Sequence, residues 1–240
     1  MKMKSATSHA AAIIAAILTV GVHGTDAKAQ IIGKKNQAKL EEQIGENRLR
    51  FEQRQLRERQ AIPAQVLANA KGIVIMHQVR AGLGVSAELG NGVAMVRKAD
   101  GKWCPPAFVS LGKGAVGPLV GADTSVSILL LMTDESLKLL QGGVGGGAGV
   151  NLQAVAGPLD VGGDISTVSL RQPVLVYSDA KGAFIGASLG GGAIVGAKQR
   201  NATHYGLTMD QILFGNMAKY TVAGEALAIS VDRAAGLWKD

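Results

Sequence analysis

Three stretches of this chain carry residue types and spacings that could do chemistry. Gly143-x-Gly145-x-x-Ala148, inside the glycine-rich run "QGGVGGGAGVNLQAVAGPLDVGG" at 141–163, can be laid on a dinucleotide-binding fingerprint. Gly186-Ala187-Ser188-Leu189-Gly190 spells the G-x-S-x-G of a serine hydrolase nucleophile elbow. Asn201-Ala202-Thr203 is an acceptor for N-glycosylation where the source glycosylates. The first two fail on context. A dinucleotide site needs a helix opening after the glycines, so that its N-terminus holds the pyrophosphate. Here the helix-like "TDESLKLLQG" comes first and strand-like "VNLQAVAG" follows. No Lys-Ser or Lys-Thr pair follows these glycines, as a Walker loop requires. After Ser188 comes hairpin-like "LGGGAIVGAK" instead of a helix, and His204 precedes Asp210, the reverse of the elbow enzymes' order. Past residue 29 the histidines are His77 and His204, and with Cys104 they stand at no metal-ligand spacing. Asp160 and Asp164 lack the oxygen density of a calcium loop. His77, within an apolar strand, reads as a hydrogen-bonded sheet histidine, and Cys104 as a packed small residue. No cofactor, metal, nucleotide or catalytic set is expected, with a serine hydrolase as the remote alternative. The glycines read as bulges, sharp coiling and close backbone approach in a curved sheet.

The remaining chemistry is cationic. Lys71, Arg80, Arg97, Lys98, Lys102, Lys113, Lys181, Lys198 and Arg200 fall mostly at the ends of apolar segments, which would gather several at hairpin tips. Each basic residue beside an anionic bilayer contributes about 1 kcal/mol, so four or five together give salt-sensitive binding. The plainer alternative is that they are solubilising gatekeepers at strand ends. The chain has 25 basic and 18 acidic residues, a formal charge of +7, which favours an anionic partner surface. Aromatics are 4% of residues, too few for the stacking platforms of a nucleic-acid binder.

The elements that must position these cations change character near Gly72. Before it, "KKNQAKLEEQIGENRLRFEQRQLRERQ" is proline-free and rich in helix formers. Leu40, Ile44, Phe51 and Leu56, with Leu49 nearby, give only a thin apolar stripe, and Gly45 interrupts the run. This reads as a solvated arm or short coiled coil. Pro63 opens a short helix in "IPAQVLANA". From Gly72 on, "GIVIMHQVR", "GVAMVRK", "SVSILLLM", "PVLVYS" and "AFIGASL" are short Val- and Ile-rich runs. Gly90-Asn91-Gly92 and Asp100-Gly101 between them read as hairpin turns. "GVSAELGNGVAMV" and "GASLGGGAIV" echo each other as two similar hairpins. Thr133 caps the short helix of "TDESLKLLQG", and Thr208 with Gln211 forms a capping-box pair. The expected fold is α+β: a curved, mainly antiparallel, barrel-like sheet with short covering helices and an N-terminal charged helix.

The first residues have the order of a secretory signal: Lys2 and Lys4, an apolar run at 10–22, then Ala27-Lys28-Ala29. The run is too short to span a bilayer as a helix. Cleavage before Gln30 would remove Lys2, Lys4, Lys28 and Asp26, so that 25 basic and 18 acidic residues become 22 and 17, a net +5. An exported protein, periplasmic or extracellular and peripheral to a membrane, is expected. One cysteine excludes an intrachain disulfide.

An ordered series of motifs adds to this reading. "IPAQVLANAKGIVI", "RAGLGVSAELGNGVAMVRKADGKWCPP", "GADTSVSILLLMT", "GAGVNLQAVAGPL", "VLVYSDAKGAFIGASLGGG" and "NATHYG" stand in register from about Ile62 to Gly215. The series resembles the SYLF domain family, and the signal segment is similar to that of its exported bacterial members. Cys104 stands where the family carries a serine after the tryptophan, and Asp160 follows "GPL" where a basic residue is usual. The segment before Pro63, implicated in phosphoinositide binding in the family, here has a mixed charge. The resemblance implies a non-catalytic module that binds anionic lipid or phosphoinositide-like headgroups, in a family with actin-associated members. The expected division is a signal peptide at 1–29, a charged helical extension at 30–61, a SYLF-like domain at 62–215 and a C-terminal helix at 216–240. The alternative function is a structural or protein-interaction scaffold of the cell envelope, contacting a protein partner through residues 34–60.

Overall fold

The alternation of apolar residues with glycine after Gly72 produces two strands, each far longer than the short runs suggest. β1 (Gly72–Val96) and β2 (Ala107–Leu131) are 25 residues each and pair antiparallel from Gly72↔Leu131 to Ala94↔Ala107, with one register shift between Leu83 and Val85. The computed structural model describes residues 33–57, 60–141, 154–157, 171–179 and 193–238; within the strands, side chains at 80–88, 112–123, 154–156 and 193 are not described. The signal-like segment, the glycine-rich run from 142, the serine-hydrolase pattern at 186–190 and most of the second echo hairpin lie outside the described residues. The chain divides into Met1–Lys39, whose residues 33–39 are the opening turns of a helix, and Leu40–Asp240, which holds everything below.

The Asp100-Gly101 turn joins β1 to β2 as expected. Asp100 Oδ1 accepts from the Lys102 amide at 3.0 Å, and Gly101 takes the left-handed φ of 81° that a side chain would resist. Gly90-Asn91-Gly92 is not a turn; it lies inside β1. Its glycines serve clearance, because the long ribbon folds back on itself. A Cβ on Gly92 would lie 2.0 Å from the Ile75 carbonyl oxygen and 2.8 Å from Met76 Cα. The end of β1 returns to its beginning, where the Arg97 amide donates to the Lys71 carbonyl at 2.8 Å. Ile73, Val74, Ile75 and Met76 are all buried, as are Val93 to Val96, so both segments are covered on both faces.

The outer edge of β2 is shared. β4 (Val174–Ser178) pairs antiparallel with Ser127–Leu131, and β5 (Ala193–Gly196) with Val109–Gly112. β3 (Ala154–Ala156) adds to β4 in parallel. The described sheet is thus mainly antiparallel and strongly folded, in the order β1-β2-β4-β3 with β5 on β2. It is open, not barrel-like. Its first and last strands make no ladder with each other, and the Arg97–Lys71 bond stands outside the ladders.

Helices cover this sheet. α1 (33–55) is the charged helix, and it is no solvated arm. Leu40, Ile44, Asn47, Phe51 and Arg54 are buried, a stripe spaced by four, three, four and three residues that packs on the sheet core. Leu56 falls off that stripe and is 82% exposed. After α1, the Gln55 amide clasps Ile62 through its main-chain N–H and C=O, at 2.8 and 3.1 Å, and delivers Pro63 to cap α2 (Ala64–Asn69). The expected helix after Thr133 is a tight 3-10 turn (Ser136–Leu140), in which Thr133 and Ser136 cap each other at 3.2 Å. α3 (Lys198–Tyr205), α4 (Met209–Leu213) and α5 (Val222–Ala234) complete the cover. Thr208 and Gln211 form the expected capping box of α4. In α5, Leu227, Ala228 and Val231 point inward at three- and four-residue spacing.

Gly92→Ala is expected to cost about 3 kcal/mol or more, since backbone must move to admit the methyl group. Gly45→Ala, where nothing lies within 4 Å in a helix interior, should gain roughly 0.5–1 kcal/mol. Urea midpoints of the two variants, moving in opposite directions, check both.

Candidate functional site: cations around the first helix

The nine cations singled out in the sequence separate into those already engaged and those left free for a partner. Arg97 is engaged. Its guanidinium stacks 4.2 Å over the Trp103 ring, donates to Gly101 O at 2.6 Å and to Ala70 O at 3.3 Å, and pairs with Asp232 at 3.2 Å. Asp232 also accepts from Trp103 Nε1 at 2.9 Å, which ties α5 to the β1–β2 turn. Lys71 pairs with Asp134 at 2.6 Å, and Lys98 lies 3.8 Å from Asp100. Lys102 and Lys198 are exposed. Arg200, on α3, is half-buried and donates to Asn91 and, at 3.0 Å, to Ser110 Oγ; burial lowers its pKa. Arg80 and Lys113 stand in the ribbon opposite Asp123 and Glu88, and their side chains are outside the described set. Lys181 lies outside the described residues. The structure therefore gathers Lys71, Arg97, Lys98 and Lys102 at one end of the folded ribbon and places Arg200 and Lys198 elsewhere.

The sequence reading missed three arginines. Arg50 and Arg54 on one face of α1 and Arg57 in the turn just after it, at i, i+4 and i+7, line a pocket of about 40 Å³ with Gln53, Val126 and Asp179. That is room for one or two water-sized groups. Arg54 is 8% exposed, its Nε is buried without a partner, and its guanidinium makes no hydrogen bond among the described residues. It sits 5.5 Å from the centre of the Tyr177 ring. Burial lowers its pKa, against the opposing pull of Asp179. The same burial raises the pKa of the Tyr177 phenol, with Arg54 pulling it back. Arg50 is held by Glu46 at 3.1 Å and Arg57 by Gln60 at 3.3 Å. The arrangement presents an under-satisfied cation at the floor of a small basic pocket, suited to an anionic oxygen. The spacing of the three arginines was the available signal, obscured by the alternating acids around them.

Among the described residues, three groups singled out in the sequence, His204, Cys104 and Asn201, have structural tasks. The His204 side chain, 3% exposed, places Nε2 2.9 Å from Glu41 Oε1 and packs edge-on against Phe108 and Tyr205. Burial lowers its pKa and outweighs the neighbouring carboxylate, which raises it. Glu41 also accepts from the Ala223 amide at 3.3 Å, so α1, α3 and α5 meet at this carboxyl group. Cys104 is buried, as expected. Its Sγ accepts from the Val96 amide at 3.1 Å, and desolvation pushes its pKa up to about 11. Asn201 of the sequon is fully buried. Its side chain accepts from Phe108 N and donates to Phe108 O, both at 2.8 Å, continuing the pairing that β5 begins on β2. The folded chain leaves that amide no exposure to a glycosylating enzyme.

A helix-covered, glycine-dependent folded ribbon with a basic pocket under its first helix defines the class, and comparison with known proteins gives the family. The family model for Ysc84, described as Las17-binding protein actin regulator, matches residues 112–231, and the chain belongs to this family. An SH3 domain-containing protein of Schizosaccharomyces pombe is 32% identical over 170 residues, 68% of this chain and 39% of that protein. SH3 domain-containing YSC84-like protein 1 of Bos taurus is 32% identical over 162 residues, 66% of this chain and 47% of its own length. Protein YSC84 of Saccharomyces cerevisiae is 31% identical over 181 residues, 73% of this chain and 38% of its own length. The chain spans less than half the length of these relatives. No solved structure matches it.

Two measurements probe the packing around the site. A histidine whose folded pKa is depressed is uncharged when folded, so its stabilising contribution is complete above the unfolded value of 6.5 and is lost as pH falls below it. The urea midpoint should therefore drop between pH 7 and 5, and His204→Phe should flatten that slope. Asn201→Ala should cost about 2–3 kcal/mol, because it orphans the buried Phe108 amide while the Phe108 carbonyl keeps the Ala197 N–H, read as a lower urea midpoint at unchanged m-value.

Proposed function

We propose that the protein is a non-catalytic module that binds anionic lipid headgroups at a membrane surface, and that it does so as an exported protein. The observation that carries this reading is Arg54, a buried guanidinium without a hydrogen-bond partner among the described residues, flanked by Arg50 and Arg57. A protein keeps a desolvated cation at a cost in stability, and an anion entering the pocket would offset that cost. The exposed Lys102 and Lys198 would add long-range attraction to an anionic surface. No described helix is long and apolar enough to cross a membrane, so attachment would be peripheral. The actin regulation named in the family description belongs to that description, and its transfer to this chain would need a protein partner. The surface that favours such a partner is the outer side of α1 and the turn after it, where Leu49 is 48% and Leu56 82% exposed.

Co-sedimentation with phosphatidylcholine vesicles, with and without phosphatidylglycerol, tests the lipid reading at low and physiological salt. Binding should require the anionic lipid and weaken with salt. Arg54→Met should reduce partition roughly fivefold, the effect of about 1 kcal/mol for one cation, without lowering the melting temperature. Equal binding to neutral vesicles, or none to either kind, would rule the reading out. Capture of actin filaments by the lipid-inactive protein, lost in Leu56→Ser, would replace it with the protein-interaction reading.

A further inference from the structure

A second cavity lies between the middle of α1 and the folded ribbon. It measures about 180 Å³, and its lining sets the polar Gln43, Asn47, His77 and Asn91 beside the charged Glu46, Arg50 and Arg200. Two acceptors here are buried without a partner, Gln43 Oε1 and Asn47 Oδ1. Asn47 is only 4% exposed, and its Nδ2 is already committed to the Gln43 carbonyl at 2.8 Å. The amide nitrogen is thus spent on the helix backbone and the oxygen is left over. A buried polar atom left unpaired is costly, so a donor is missing from this site.

The charges lining the cavity narrow the class of that donor. Arg50 is paired with Glu46 at 3.1 Å. Arg200 is shared between two neutral oxygens, those of Asn91 and Ser110. An ammonium ligand would meet two guanidinium groups against the single carboxylate of Glu46, which Arg50 already holds. A carboxylate or a phosphodiester has no proton to give Gln43 and Asn47, and an apolar ligand would leave both oxygens orphaned. A hydroxyl group donates to an amide oxygen and accepts from a guanidinium at once. We propose that this cavity binds a neutral polyhydroxyl group, at the scale of a small polyol or a single sugar ring, with Asn47 and Gln43 accepting from its hydroxyls and Arg200 donating to them. The same chemistry is offered by a free polyol and by the glycerol headgroup of a lipid.

The test is a titration of the intact protein followed by amide chemical shifts, with glycerol, ribitol and glucose as free probes and phosphatidylglycerol vesicles as a separate arm read by binding. Saturable shifts at His77, Asn91 and Gly92 with a free polyol are expected. They should weaken at least fivefold in Asn47→Leu, which removes one acceptor at similar size, and persist in Arg54→Met. Arg200→Gln serves as a second variant should Asn47→Leu fail to fold. A response to the vesicles alone, lost in Asn47→Leu or Arg200→Gln but kept in Arg54→Met, would assign the polyol to a lipid headgroup and support the site. No saturable response to any probe, or one that both cavity variants leave unchanged, would overturn it. Loss of vesicle binding in Arg54→Met with the polyol response intact would separate this site from the basic pocket.

Discussion

The contact on which this fold depends is made between two stretches of one strand. The backbone at Gly92 lies against the Ile75 carbonyl and the Met76 Cα, at a separation that leaves no space for a side chain. Because that contact folds the ribbon, Ile73 to Met76 and Val93 to Val96 are buried from both sides. The folding also brings Arg97 to Lys71 and Ala70, and through Asp232 it fixes the last helix. The cavity under α1 exists for the same reason, since Asn91 and Gly92 form part of its wall while His77 faces it from the other half of the strand.

Much of this architecture was legible in the residues. The Val- and Ile-rich runs among the described residues are strands, Asp100-Gly101 is the turn between the two long ones, and Thr208 with Gln211 caps α4. These features are local: a propensity, a left-handed φ or a side chain reaching three residues along. The misreading at Gly90-Asn91-Gly92 arose where a local signal and a tertiary requirement coincide. Glycine permits a turn and also permits close approach, and only the partner backbone at Ile75 distinguishes the two. The open sheet was likewise unreadable, because closure depends on which edges meet and not on how any strand is composed.

The first helix shows a different limit. Its inward stripe alternates apolar and polar residues, with Asn47 and Arg54 at positions where Leu or Ile would have announced a core face. Counting apolar residues alone gave a stripe too thin to bury, and it drew in Leu56, which lies outside. The two polar residues that hid the helix's packing each line one of the two cavities. A similar ambiguity affected the cations. Arginine serves equally as a clamp, as at Arg97 between Trp103 and Asp232, or as a buried cation whose Nε is left without a partner, as at Arg54. Sequence position separates neither use from the other.

Cys104 has a practical bearing on how this molecule responds to its surroundings. The thiol is 1% exposed, receives the Val96 amide, and is held in its protonated form by a pKa near 11. Thiolate, not thiol, reacts with oxidants and alkylating reagents, so the folded chain is indifferent to redox conditions despite carrying a cysteine. Its position in the β1–β2 connection, walled in by the folded ribbon, means that reagent reaches sulfur only when that region opens. The lone sulfur is thus a built-in clock for opening of the core, with the rate of its modification counting the excursions of the native state.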